Sequence, residues 1–130
     1  MARNTRNYSD LDLNFTAHPV TKDVTHRYDE NAVKTSLKNL ILTRNFERPF
    51  HSEIGSPIRA LMFEPASPML NITLKRAIID VVNNFEPRAD LTDVQVNSSP
   101  DNNAVYVTVY FKLTNTEKPL TLDLTLERTR

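Results

Sequence analysis

Cysteine is absent from this sequence of 130 residues, and glycine occurs only once, at Gly55. Without cysteine the chain has no disulfide framework, no thiolate zinc site and no cysteine nucleophile. A single glycine also excludes the glycine-rich loops that bind the phosphates of nucleotides. Turns must therefore be built from asparagine, aspartate, serine and the eight prolines.

Net charge is absent as well, because 16 lysines and arginines balance 16 aspartates and glutamates. A neutral chain has no global basic field for a polyanion, so nucleic acid is not expected as a partner. No apolar run approaches the roughly 20 residues that span a bilayer, and no membrane partner is expected. Residues 1–12 lack the apolar core of a signal peptide, so we expect a chain that is soluble and intracellular when made.

What remains is an ordinary globular composition, with 39% hydrophobic and 25% charged residues. A chain of this length forms one domain and can fold without a metal or a disulfide. Residues 1–28 are mostly polar and are interpreted as an extended N-terminal arm. Within it, Leu11, Leu13 and Phe15 alternate with polar residues, which predicts an extended segment docked either on the chain's own core or on a neighbour.

Three helices are predicted after the arm. The first begins at Asp29, which is expected to cap it, and its apolar face contains Val33, Leu37, Leu40 and Ile41. The second follows Gly55-Ser56-Pro57, with Ser56 as the cap and proline at the first helical position. The third follows Ser67-Pro68 and is ended by Pro87, and its apolar stripe is Leu70, Leu74, Ala77, Ile78, Val81 and Phe85.

The last third of the sequence changes to a period of two, in residues 94–97, 105–113 and 120–127. Strict alternation predicts antiparallel strands with one buried face. The order of elements indicates an α+β domain over residues 29–130, with three helices packed on one face of a small antiparallel β-meander. Tyr106 and Tyr110 share the other face, where zero net charge favours a cross-strand pairing surface over a nucleic-acid platform.

Catalytic chemistry has little support in the sequence. His18, His26 and His51 are scattered and lack zinc-ligand spacing, so neither a metal nor another cofactor is expected. Glycoside hydrolysis needs two carboxylates about 5 to 9.5 Å apart, for which the candidates are Glu47, Glu53, Glu64 and Glu86. Nothing places one of them in the apolar pocket that a general acid requires. No catalytic residue is assigned, and the chain is not expected to be an enzyme.

Three stretches form a distinctive set. The first is Tyr8-Ser9-Asp10-Leu11-Asp12-Leu13. The second includes Asn39-Leu40-Ile41-Leu42-Thr43-Arg44, Glu47-Arg48-Pro49-Phe50, Glu53-Ile54-Gly55-Ser56 and Leu61-Met62-Phe63-Glu64. The third is Asn84-Phe85-Glu86-Pro87-Arg88. The set spans residues 8–96 and resembles the baseplate wedge family of contractile phage tails, called lysozyme-like proteins or sheath initiators, which has a counterpart in type VI secretion.

The resemblance implies a structural subunit of the virion's tail baseplate, present in several copies in a six-fold assembly. Its partners would be other wedge proteins, tube-proximal baseplate proteins and the tail sheath protein. In this family the Glu-Pro-Arg turn is associated with docking to the core bundle of the wedge, which assigns that role to Glu86, Pro87 and Arg88. The sheet would serve as a template for the first ring of sheath subunits.

The residues themselves are compatible with a docking role. Pro87 ends the helix and holds Glu86 in an extended conformation. Glu86 and Arg88 then point to the same side, where they would engage a complementary pair on a partner. The alternative interpretation is a helix stop followed by two exposed charges, worth about 0 to 1 kcal/mol.

The sheath role would use the edge of the meander. Its last strand is expected to lack a covering element, so that its backbone can accept a further strand. The predicted pairing residues are Leu120, Thr121, Leu122, Asp123, Leu124, Thr125, Leu126 and Glu127. Two other functions stay open: a cell-wall muramidase that uses Glu47 or Glu53, and a small adaptor or anti-adaptor that binds a bacterial partner.

Overall fold

The computed structural model describes residues 7–128, so residues 1–6 of the predicted arm lie outside the described residues. The described chain contains a two-stranded sheet, then three helices, then a three-stranded antiparallel sheet. The α+β class predicted from the sequence is therefore confirmed.

The N-terminal segment folds into a hairpin. Strand β1 (Ser9–Leu11) pairs antiparallel with β2 (His26–Tyr28). An isolated antiparallel bridge between Ala17 and Val24 joins the two arms further along. The segment therefore doubles back on itself, and its second strand leads directly into the first helix.

The buried residue of this hairpin is polar. Asp12 is 6% exposed, and its carboxylate accepts hydrogen bonds from Thr16 Oγ1 at 2.6 Å and from Arg27 Nε at 3.0 Å. These bonds fasten the hairpin from inside. The side chains that were expected to dock are exposed in this chain: Leu11, Leu13 and Phe15. These three side chains do not dock on the chain's own core, although the segment itself folds back onto it, since Tyr8 packs against the core cluster and β1 contacts α1. For the three exposed side chains, docking on a neighbour stays a prediction.

Helix α1 (Asp29–Leu42) buries the apolar face that the sequence predicts, including Val33, Leu37, Leu40 and Ile41. The predicted cap is wrong, because no side chain caps this helix. Asp29 has a φ of 47°, and its Oδ1 accepts the backbone N–H groups of Asn7 and Tyr8 at 2.9 and 3.1 Å. Its carboxylate fastens the segment before β1 instead.

The next two helices differ in how they begin. The prediction that Ser56 caps α2 (Ile58–Leu61) is wrong. Its buried hydroxyl donates instead to the Ile41 carbonyl at 2.6 Å. It satisfies the end of α1, where the last carbonyls lack partners within the helix. Helix α3 (Pro68–Phe85) is capped as predicted, by Ser67 Oγ, which accepts the Leu70 N–H. None of the described helices is long and apolar enough to cross a membrane.

The loop of residues 43–57 between α1 and α2 is closed by a parallel bridge between Arg44 and Ser56. Gly55 permits this closure, because a Cβ at that position would lie 2.5 Å from the Arg44 carbonyl oxygen. The loop also presents Phe46 and Phe50 to solvent, each with a φ of 67°. A residue with a Cβ adopts this left-handed backbone conformation only at a cost in free energy.

The carboxy-terminal sheet has the order β3 (Ala89–Ser99), β4 (Ala104–Leu113) and β5 (Thr116–Glu127), with antiparallel neighbours. On the central strand β4, four large side chains are at most 1% exposed: Val105, Val107, Val109 and Phe111. They belong to the same core cluster as apolar residues of all three helices. The alternate residues of β4 are exposed or half-buried, as at Tyr106, which lies opposite Thr125 of β5.

Candidate functional site

The junction between α3 and β3 forms a fixed corner. The helix ends at Phe85, and Glu86 leaves it with φ −125° and ψ 79°, although its amide still donates to the Val82 carbonyl at 2.9 Å. Pro87 follows at once and disfavours helical geometry in the residue before it. The predicted end of the helix is confirmed.

Glu86 and Arg88 point to the same side, as expected, but they bind each other. Arg88 donates from Nε to Glu86 Oε1 at 2.7 Å and from a terminal nitrogen to Oε2 at 2.9 Å. The hydroxyl of Ser36, on α1, donates a third hydrogen bond to Oε2. Glu86 is only 3% exposed. The alternative of two exposed charges is therefore wrong for Glu86, whose carboxylate is satisfied inside the chain.

The electrostatics of the pair follow from this geometry. Burial alone would raise the pKa of Glu86, because it disfavours the charged form. The hydrogen bonds from Arg88 and Ser36, with the charge of Arg88, outweigh burial and lower that pKa below its ordinary value. The hydrogen bonds to Glu86 likewise raise the pKa of Arg88. Both groups are therefore charged at neutral pH.

Further contacts fix Arg88 from two sides. Its guanidinium lies 5.7 Å from the centre of the Tyr8 ring, which gives a cation–π contact with the N-terminal hairpin. Its backbone carbonyl accepts hydrogen bonds from the N–H and the hydroxyl of Thr114, in the turn after β4. The corner is thus held by the hairpin, by α1 and by the β4–β5 turn. The Arg88 side chain nevertheless remains 28% exposed.

A groove of about 650 Å³ opens beside this corner. Residues that line it include Asn83, Pro87, Asp90, Lys112, Asn115 and Glu117. Pro87 is exposed, whereas the Glu86 carboxylate below it is anchored. Charged side chains line the groove, and the anchored corner forms part of its wall.

The predicted pairing residues lie on β5, at an edge of the sheet. Within residues 7–128, no strand other than β4 pairs with β5. The alternation matches the prediction that leucines face the core, since Leu120, Leu124 and Leu126 are buried. The exposed positions between them include Asp123, whose carboxylate accepts a hydrogen bond from Thr108 on β4.

Of the carboxylates considered for glycoside hydrolysis, Glu53 and Glu86 have lowered pKa values. Glu47, Glu53 and Glu64 are exposed. The pKa of Glu53 is lowered, first by a hydrogen bond from its own backbone and then by His51. A general acid needs a raised pKa, the opposite direction. Residues 7–128 also contain no group of three or more histidines and carboxylates that could hold a metal ion.

Sequence reasoning missed Ser36. It lies three residues after Val33 and four before Leu40, so it falls within the predicted apolar face of α1. A hydroxyl at a core-facing position needs a buried partner, and that requirement was the available signal. The partner, Glu86, lies 50 residues further along the chain.

Comparison with known families gives a match to the model described as baseplate wedge protein gp25, over residues 27–118. The baseplate wedge protein gp25 of Enterobacteria phage T4 is 33% identical over 113 residues, which cover 87% of this chain and 85% of the relative. The match contains α1, α2, α3, the Glu-Pro-Arg corner and the first two strands of the large sheet.

Solved structures share the fold at low sequence identity. A Geobacter sulfurreducens protein with the suggested identity of a tail lysozyme superposes with a TM-score of 0.70 at 14% identity, over 75% of this chain and 89% of that one. A chain of the six-fold symmetrised baseplate of the anti-feeding prophage gives a TM-score of 0.65 at 19% identity, over 91% and 83% of the two chains. At these identities the likeness shows the fold alone.

Proposed function

We propose a docking and templating role on the premise that the chain belongs to the family of baseplate wedge protein gp25. It is a structural component of the baseplate of a contractile tail, located in the virion, and it assembles with other baseplate proteins. In the proposed docking role, the Glu-Pro-Arg corner binds the core bundle of the wedge near the tube. The β5 edge then accepts strands of the first ring of sheath subunits, in a six-fold arrangement.

The observation that carries the docking proposal is the ion pair between the buried Glu86 and the partly exposed Arg88 at the helix–sheet junction. Groups held by several hydrogen bonds lose little freedom on binding, so a rigid corner docks at a low entropic cost. The neighbouring groove supplies the concave surface, and the exposed Pro87 supplies a contact at its wall. The Arg88 guanidinium does not line the groove, but it stays partly exposed and would contact the same partner. The Glu86 carboxylate acts as the internal anchor that orients Arg88.

The docking test must separate binding from folding, because Glu86 is buried. We therefore place the substitutions on the groove rim: Asp90→Arg and Lys112→Glu, at exposed residues that are cross-strand neighbours. Each places like charges opposite one another at a cost below about 1 kcal/mol, so each is expected to remain folded but to lose co-purification with wedge proteins from expressing cells. Asp101→Arg, an exposed change in the β3–β4 turn, is the matched control. Undiminished co-purification of both rim variants would rule out docking at this groove.

The templating proposal places the helices over one face of the meander, while its β5 edge stays accessible. Open edge strands present unpaired backbone groups that accept another strand. Asp123→Pro removes one backbone N–H from β5, whereas Asp123→Val removes the same carboxylate but keeps that N–H. Among variants that remain folded by thermal unfolding, sheath assembly is expected to fail only with proline. A folded Asp123→Pro variant that still starts sheath assembly would contradict strand addition at β5.

A further inference from the structure

A second groove, of about 360 Å³, lies at the carboxy-terminal end of β5. The end of α1, the helix α2 and the last residues of β5 enclose it. The residues that matter here are Leu42, Arg44, Arg59, Met62, Phe63 and Arg128. It is separate from the groove at the Glu-Pro-Arg corner, with which it shares no lining residue.

The floor of this second groove is apolar. Met62 is 5% exposed and belongs to the core, and Leu42 packs against the same core. Phe63 stands at the rim and is 74% exposed. A bulky apolar side chain entering here would cover both the floor and the Phe63 ring, and removal of apolar surface from water favours binding.

The rim of the groove has an excess of positive charge. Three arginines line it, against the single carboxylate of Glu127. Within residues 7–128, the side chains of Arg44 and Arg59 form no ion pair. Arg128 donates a terminal N–H to the Glu64 carbonyl at 2.7 Å, but its Nε is buried without an acceptor. The groove therefore has unused donors, which a carboxylate would match.

We propose that this groove is the side-chain pocket for the strand that pairs with β5, and that it takes a bulky apolar residue with an acidic residue two positions away, on the same face of that strand. The groove begins at Thr125, so a strand added along β5 runs directly into it at one end. The inference rests on the proposed strand addition and names the chemistry of its partner, an extended protein segment with an apolar and acidic end.

The pocket would fix the register of the added strand and select its partner, which backbone pairing alone does not do. Hydrogen bonds between strands do not depend on sequence, and a shift by one residue turns every side chain to the opposite face. A pocket that accepts one apolar side chain fixes the register. Arginines that bind one carboxylate select the partner, because they would repel a segment with a basic residue at that position.

The test uses the full chain and the tail sheath protein of the same tail, with binding affinity measured at low and high salt. Arg59→Glu and Phe63→Ser are each expected to weaken binding about tenfold. Wild-type affinity should fall with salt, and that of Arg59→Glu should fall less. Arg48→Glu is the matched control, because Arg48 is exposed and lies outside the groove. Reversal of the acidic residue of the sheath segment to lysine should restore binding to Arg59→Glu.

The outcomes separate this inference from the function on which it rests. If both groove variants bind as tightly as the wild type while a folded Asp123→Pro variant does not bind, strand addition stands and the pocket is wrong. If Asp123→Pro binds normally, strand addition itself is wrong. If Arg59→Glu abolishes binding of a single-stranded oligonucleotide and leaves sheath binding unchanged, the groove serves a nucleic acid and the proposal is overturned.

Discussion

At the residue scale, Glu86 owes its burial to the groups that donate to it. A buried carboxylate is costly unless it is paired and hydrogen-bonded. Arg88 supplies a charge and two hydrogen bonds, and Ser36 supplies a third bond. The same carboxylate would become an uncompensated buried charge if its main partner were removed.

We predict that Arg88→Ala lowers the free energy of unfolding by about 2 to 4 kcal/mol, because it leaves that charge behind. The measurement is the midpoint of urea unfolding at neutral pH. In a Glu86→Gln background the cost of Arg88→Ala should shrink, since no buried charge remains. An equal cost in both backgrounds would show that Arg88 acts through packing rather than through the ion pair.

The sequence predicted part of this site. A spacing of two in an extended chain places Glu86 and Arg88 on one side, and a proline after a helical stripe ends the helix. Both predictions hold. The burial of Glu86 was not predictable, because it depends on how α1 packs on α3, and local spacing contains no information about that contact. The docking role assigned to these residues remains a prediction.

At the element scale, the loop of residues 43–57 depends on the single glycine of the chain. The Arg44–Ser56 bridge brings two backbone segments together at Gly55, where the obstacle to a side chain is main-chain carbonyl. Backbone atoms cannot rotate away as a flexible side chain would. Any added carbon must therefore push the two ends of the loop apart.

We expect Gly55→Ala to destabilise the chain by about 1 to 3 kcal/mol, the usual cost of overpacking. Thermal unfolding measures it, and Ala60→Ser, an exposed change in α2, serves as the control. Hydrogen exchange should show faster opening at the Ser56 amide, which donates to the Thr43 carbonyl at 2.9 Å. Wild-type stability and wild-type exchange at Ser56 would contradict this account of the glycine.

Elements with a long regular pattern were predictable from the sequence, whereas contacts between distant residues were not. The alternation in β4 and β5 and the Ser67-Pro68 start of α3 are local signals, and they hold. The N-terminal hairpin was not anticipated, because its two strands have three residues each and are fastened by Asp12. Ser56 and Asp29 were wrongly assigned as caps, since their polar atoms bind distant backbone instead.

At the scale of the whole molecule, the described carboxylates with shifted pKa values all shift in one direction. The pKa is lowered at Asp12, Glu53, Glu86 and Asp93. A lowered pKa in the folded state means that the ionised form stabilises the fold. That contribution is present above the unfolded-state pKa and is lost as the pH falls through the folded-state pKa.

We predict that the folded chain keeps its stability down to the ordinary glutamate pKa of 4.5 and loses it progressively at lower pH. Glu86→Gln should start from a lower stability at neutral pH and lose less on acidification, because its side chain has no proton to gain. Urea midpoints across this pH range test the difference. Parallel curves for the two proteins would mean that Glu86 does not contribute to acid unfolding.

In the proposed function, the edge of β5, which within residues 7–128 pairs only with β4, also sets a competition in time. Two free copies can pair edge to edge, in a reaction whose rate rises with the square of the free concentration. Capture by a baseplate partner rises only in proportion to that concentration. With no net charge to keep copies apart, slow synthesis beside an excess of partners favours correct incorporation, whereas overproduction of the chain alone favours dead-end aggregates.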